Sequence, residues 1–385
     1  MPLRLSPPLF DAALCALLPT GVWDLAVGVS GGADSTALAL LTQGFVRRHG
    51  GRVRAFIVDH GLRVGSAAEA EVTRARLAAR GIEAGILTLR DLPRGAGLQA
   101  AARGARHEAL ARAACEAGCV FLLLGHHADD QGETVAMRAM RGEAGLEGMS
   151  RWSARRQVVV LRPLLGFGRQ AVRDWLGAQG MAWVEDPSNA MARFERVRIR
   201  QDGAGRAACG GAARAAREVS EAEFLARYVA MRLEGFALVE AGTMPEGALG
   251  ALLRTLGGAA YAPRREALAR LAGRLRPATL GGVRILPAGR MGAGWLFVRE
   301  AAACAPPVAA WPGVVWDGRF LYEGEAGGWL GALGEAARQF RGHGGLPRAV
   351  LAAMPALRGE GGEVEFPAPA RFCPPQPLTS RPFWA

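Results

Sequence analysis

The chain contains no lysine: all 47 of its Lys+Arg positions are arginine. That absence excludes a Walker A phosphate loop, whose Gly-Lys-Ser/Thr sequence needs the lysine on the phosphates. Cysteine is scarce too, with only Cys15, Cys115, Cys119, Cys209, Cys304 and Cys373, and none falls in a Cys-x-x-Cys pair. This argues against a zinc site, an iron–sulfur cluster or a disulfide framework, and for a reducing cytoplasm. Cys115 and Cys119 have the i, i+4 spacing of a helix, which reads as core packing. A charged-then-apolar leader and a long uncharged apolar run are also missing, so no membrane association is expected.

What is present is a hydrophobic, strongly basic chain. Half of the 385 residues are hydrophobic, enough for a sizeable core and two or three domains. The formal net charge is +12. An excess carried only by guanidinium groups suits phosphate and RNA contacts.

The rest is organised around Leu25 to Thr36, Leu-Ala-Val-Gly-Val-Ser-Gly-Gly-Ala-Asp-Ser-Thr. A short apolar run reads as a buried parallel strand, and Ala37 to Leu41 as the start of a buried helix. Between them lies a turn of small residues: Ser30, Gly31, Gly32, Ala33, Asp34 and Ser35. Glycine permits positive φ and close backbone approach, so free N–H groups and the helix N-terminus together form an anion site suited to phosphate. Ser30, Ser35 and Thr36 add hydroxyls. Asp34 beside such a site makes sense as a ligand of Mg²⁺ on a polyphosphate. The loop is not Gly-x-Gly-x-x-Gly either, so a dinucleotide is not expected.

Further strands are expected at 53–59, 86–89 and 120–125, alternating with helices near 67–80 and 97–118. That alternation implies a parallel open sheet with helices on both faces. Ligands then lie at the carboxyl ends of the strands. Val58 and Asp59, with His60, occupy one such end; His126 to Thr134, His-His-Ala-Asp-Asp-Gln-Gly-Glu-Thr, occupies another. Asp129 and Asp130 begin a helix, where its dipole favours carboxylates, and Glu133 shares their face. An N-cap with a capping-box acid would account for one Asp and Glu133, but not for His-x-Asp-Asp at a strand tip near Asp34. One of these acids can face Asp34 across Mg²⁺. His127 can act as acid or base, or bind phosphate. Arg103 and Arg106 are i, i+3 neighbours on the preceding helix.

The Ser-Gly-Gly-Ala-Asp-Ser loop resembles the pyrophosphate loop of the N-type ATP pyrophosphatases. The later motifs narrow the resemblance to the tRNA(Ile)-lysidine synthetase family. They are Val58 to Arg63, Ala102 to Arg106, His127 to Thr134, Met140-Arg141-Gly142, Arg162-Pro163-Leu164-Leu165, Glu185 to Asn189 and Arg196 to Arg200, and they cover roughly the first half of the chain.

The resemblance implies a PP-loop ATPase fold of the adenine nucleotide alpha hydrolase type. The implied reaction uses ATP and Mg²⁺ to join free L-lysine to C2 of the wobble cytidine of tRNA(Ile) bearing CAU, through an adenylated cytidine. Ser30 to Ser35 with Val58 and Asp59 would bind ATP, and Asp34 and Asp130 the metal. Asp34, Arg103, Arg106, His127, Asp129, Asp130 and Glu133 would carry the chemistry. A carboxylate must take a proton from an amine whose pKa is ordinarily about 10.4, and Asp129, Asp130 and Glu133 are all candidates. The match departs after Arg141-Gly142, where the family's Ser-Gly is replaced by Glu143-Ala144.

Two other readings compete. A tRNA thiolase would need Cys-x-x-Cys or a catalytic cysteine, and a non-catalytic tRNA-binding protein would have no use for the acidic cluster. Beyond residue 205 we expect a mostly helical domain to residue 304, with one long helix over 212–238, and a small α+β domain from 305 to 385. Both would grip the tRNA body. A homodimer is compatible with the chain, but no sequence feature argues for it.

Overall fold

The computed structural model describes residues 4–59, 61, 65–89, 98–140, 148–184, 211–359, 361–376 and 378. The chain forms two compact units, Met1–Ala215 and Ala216–Phe383.

In the first unit the elements run α1 (Pro7–Cys15), β1 (Leu25–Val29), α2 (Ala33–His49), β2 (Val53–Asp59), α3 (Ser66–Ala78), β3 (Glu83–Thr88), α4 (Leu98–Glu116), β4 (Phe121–Leu124), α5 (Ala128–Met140), β5 (Trp152–Ala154), β6 (Val159–Leu161) and α6 (Arg169–Ala178). The sheet order is β3-β2-β1-β4-β6-β5. All neighbours pair in parallel except β5 with β6. This is the α/β architecture the alternation implied. β1 is buried along its whole length because helices cover both faces. Val27, Leu38, Leu41, Phe45 and Leu176 share one core with α1, α2, α3 and α6. Ala26, Leu110, Ala114 and Leu122 pack in another, on the α4 side.

β1 pairs with β2 on one side and β4 on the other, with Val27 opposite both Ala55 and Leu123. The connections leave in opposite directions from this pair, so the crevice at the ends of β1 and β4 is the topological switch point. Both chemical clusters read from the sequence open there. α6 packs on α2 and buries Val172 and Leu176, each contributing about 1.5–3 kcal/mol if fully buried.

The second unit holds a five-stranded antiparallel sheet in which Phe236–Val239, Trp295–Arg299 and Val283–Pro287 are consecutive neighbours. Helices Glu246–Gly257 and Arg265–Ala272 bury Leu249, Leu252, Leu256 and Leu268 against it. The long helix expected over 212–238 is a correction. It ends at Tyr228, and Val229–Arg232 pairs with Phe236–Val239 as a hairpin. Gly235 turns the chain at φ 80. The sequence there is apolar enough for either period, and the neighbouring strand decides. Val283–Pro287 and Trp295–Arg299 pair as an antiparallel hairpin, and Val315–Trp316 pairs antiparallel with Phe320–Tyr322.

Cys119 is a second correction. α4 ends at Glu116, so Cys119 lies in the connection to β4 and is buried, while Cys115 is exposed. Among the described residues no helix is long and apolar enough to cross a membrane.

Candidate active site

The loop after β1 is closed by its own side chains. Ser35 Oγ accepts the Ser30 N–H and stands 3.1 Å from Ser30 Oγ, while its own hydroxyl donates to the Gly32 carbonyl at 3.1 Å. Thr36, in the first turn of α2, is buried. Gly31 has φ +82, and a Cβ there would meet Thr73 Oγ1 at 2.8 Å. Its carbonyl accepts the Val184 N–H at 2.9 Å. Gly125, at the end of β4, is required for a different reason. A Cβ there would lie 3.1 Å from the carbonyl carbon of Asp34 and the N and Cα of Ser35. Bare backbone on β4 therefore lets the loop sit down on the switch point.

Asp34 stands in the first turn of α2, where the helix dipole favours it. Its Oδ2 is 3.5 Å from His127 Nε2. Its Oδ1 is sealed from solvent and has no hydrogen-bond partner among the described residues. Burial alone would raise the Asp34 pKa. The hydrogen bond and charge of His127, with the charges of Arg169 and Arg173, overturn that and hold it below the ordinary aspartate value.

His127 is the N-cap of α5, with Asp130 three residues on. The His127 N–H donates to Asp130 Oδ2 at 3.0 Å, and the Asp130 N–H donates back to His127 Nδ1 at 3.3 Å. This is a capping box with a histidine in the cap position. It directs Nε2 toward Asp34 Oδ2 and Asp130 Oδ2, both at 3.5 Å. Arg169 Nε is a competitor at 3.3 Å, able to donate only to an unprotonated Nε2. Burial opposes the charged ring, but the Asp34 hydrogen bond and the charges of Asp130 and Asp34 outweigh it, and His127 titrates above the ordinary histidine value.

Asp129 accepts the Arg169 N–H at 2.7 Å and so ties the N-terminus of α6 to that of α5. Glu133 is buried, one turn further along α5. Gln131 brackets Met149, accepting its N–H and donating to its carbonyl at 2.9 Å, and Arg138 donates to the Gly148 carbonyl at 3.0 Å. Both anchor the chain where it re-emerges from residues 141–147.

Arg103 and Arg106 belong to a second group. With Arg162 and Arg155 their charges act on His107, which burial first, and then these cations, push down to about 3. Burial first, then Arg162, Arg103, His107 and Arg106, hold His126 well below the ordinary value. Arg162 is buried and donates to the Ser150 carbonyl at 2.9 Å and to Ser153 Oγ at 3.0 Å, a fastening of β5.

Asp59 is buried at the end of β2, and its Oδ1 accepts the Gly61 N–H at 2.9 Å. Val58 is part-buried beside it. His60, Arg63, Arg141-Gly142, Glu185 to Asn189 and Arg193 to Arg200 lie outside the described residues. Sequence reasoning missed Arg169 and Arg173. Their signal was an arginine pair at i, i+4 just after Arg162-Pro163-Leu164-Leu165, where Gly168 caps α6.

A hard divalent cation fits part of this arrangement. Asp34 Oδ1 is a sealed carboxylate oxygen with no donor. Among the described residues no group of three or more His, Cys, Asp or Glu gathers as a metal cage. Mg²⁺ typically takes only one or two carboxylates from the protein when substrate phosphates and water complete its shell.

Residues 13–203 match the family model of the PP-loop domain. The tRNA(Ile)-lysidine synthase of Hyphomonas neptunium is 40% identical over 72% of this chain and 82% of its own length. That of Mesorhizobium japonicum is 38% identical over 76% of this chain and 70% of its own. That of Ruegeria pomeroyi is 37% identical over 86% and 85%. These similarities run through both compact units and most of each relative, and they join the motifs already read from the sequence: the chain belongs to the tRNA(Ile)-lysidine synthase family of PP-loop proteins.

Proposed function

We propose that the protein is an ATP-dependent ligase that joins the ε-amine of free lysine to C2 of the wobble cytidine in tRNA(Ile) bearing CAU. The observation that carries this is a family-typical loop at the switch point whose Asp34 keeps one sealed, unbonded oxygen beside His127.

In the first step the cytosine C2 oxygen attacks the α-phosphorus of ATP. The bond from that phosphorus to the bridging oxygen breaks, and pyrophosphate leaves with the electron pair. Charge grows on the leaving group, where loop amides from Gly31 to Ser35 and the α2 N-terminus can meet it. Asp34 and Asp130 would hold Mg²⁺, which when bound supplies further neutralisation of phosphate charge. His127, whose Nδ1 accepts the Asp130 N–H, directs Nε2 between two carboxylates, and an Nε2–H there is a donor toward phosphate oxygen.

In the second step the lysine amine attacks C2, and AMP leaves with the electrons of the C2–O bond. The amine must lose a proton to a carboxylate. Asp129 is engaged by α6, so Asp130, whose Oδ1 takes no part in the cap, and the buried Glu133 are the acceptors we assign. Arg103 and Arg106, in their separate cationic group, suit the target nucleotide's phosphates.

The test is incubation with ATP, Mg²⁺, radiolabelled lysine and unmodified CAU-bearing tRNA(Ile), with the CAU-bearing elongator methionine tRNA as control. Acid-precipitable label on the isoleucine tRNA alone is the expected result. Conversion of ATP to AMP with no lysine incorporated would indicate a different nucleophile and overturn the reading.

A further inference from the structure

We infer that Arg169 and Arg173 of α6 form a two-guanidinium clamp for the β- and γ-phosphates of the nucleotide, a role that rests on the ATP chemistry proposed above. The two residues are one helical turn apart and share a face. Three features fix where that face looks. The Arg169 N–H is held by Asp129 Oδ2 at 2.7 Å, the Arg169 side chain lies with Nε 3.3 Å from His127 Nε2, and Val172 and Leu176, at i+3 and i+7 from Arg169, share this inward side of the helix and pack in the core with α2. Both guanidinium charges reach the carboxylate of Asp34. The clamp thus looks onto the end of the loop that receives an anion.

A planar guanidinium suits two oxygens of one phosphoryl group, which a point charge cannot match. On the terminal phosphates the guanidiniums sit where pyrophosphate charge develops in the proposed first step. The absence of lysine from the chain means that no ammonium can do this work.

The experiment is calorimetric titration of the full-length protein with ATP, inorganic pyrophosphate and AMP, each with Mg²⁺. Arg169→Gln and Arg173→Gln should each weaken ATP and pyrophosphate by about 10-fold or more, the loss of one charge-assisted contact, and leave AMP within about twofold. Arg173→Lys should recover part of the pyrophosphate affinity. Thermal melts matching the wild type exclude a folding defect. Equal losses for ATP, pyrophosphate and AMP, or no loss for pyrophosphate, would overturn the clamp. Wild-type protein that binds neither ATP nor AMP overturns the reading beneath it, and the clamp with it.

Discussion

Two carboxylates in this chain, Asp317 buried and Asp34 half-buried, show opposite ways of handling charge. In the second unit Asp317 is saturated. Its Oδ1 accepts from Arg299 Nη2 at 3.0 Å and from the Ala305 N–H at 2.9 Å, and its Oδ2 accepts from Arg319 Nε at 2.8 Å and Arg299 Nε at 3.1 Å. In the first unit Asp34 has one neighbour at 3.5 Å and one oxygen with none. Saturation makes a fastener, since every lone pair is already committed to the fold. An unfilled coordination, stabilised at a distance by His127, Arg169 and Arg173, makes a site waiting for a ligand. A buried ionisable group therefore says little about function until its partners are tallied.

The contrast can be broken from either side. Asp34→Ala should lower lysidine formation by about 1000-fold or more, while the melting temperature moves little, because few bonds are lost. Radiolabelled-lysine incorporation and a thermal melt of the same preparation read the two effects. Asp317→Ala should do the reverse. Removing it strands the Arg299 and Arg319 guanidiniums and should cost about 3–5 kcal/mol of stability, read as a drop in the denaturant midpoint, with the turnover of the remaining folded protein unchanged. Stability loss at Asp34 and activity loss at Asp317 would together remove the distinction.

Gly125→Ala sharpens it at the backbone. The added methyl would press on Asp34 and Ser35 at 3.1 Å. A raised KM for ATP, by about 10-fold, with kcat less affected is expected; unchanged kinetics would mean the loop yields freely.

The smallest effect is spectroscopic. Followed by NMR, the His127 ring should titrate above the ordinary histidine value, and Asp34→Asn should move it downward. The sign follows from linkage. Because the His127 pKa is raised, its pairing stabilises the fold fully below the ordinary histidine value and the contribution fades as pH rises through the folded pKa. The depressed Asp34 contributes above the ordinary aspartate value and fades as pH falls through its own folded pKa. A His127 titration that ignores Asp34→Asn would break the pairing.

Much of the site was legible in the residues. The small-residue run from Ser30 to Ser35 could only serve a tight approach, and two acid-bearing strand ends could only meet at a switch point. The alternation of strand and helix in the first unit is a matter of local period and buried length, so it survives without tertiary information. The helix expected over 212–238 did not, because Val229 to Val239 fits two periods and only the neighbouring strand chooses between them. The cap at His127 was legible as a spacing but not as a pairing, since a capping box was expected to use an aspartate.

The sequence by itself determined the nucleotide loop, its parallel sheet and the family, because those depend on glycine, on small side chains and on order along the chain. Tertiary structure alone decided the partners. It gave Asp129 to the amide of Arg169, turned His127 between Asp34 and Asp130, brought the Arg169 side chain from α6 against His127, and kept Arg103 and Arg106 with His107. The physical reason is that charge and hydrogen bonding act through space over a few ångströms. Residues 34, 127 and 169 become neighbours only when β1, β4 and α6 converge on one end of the sheet.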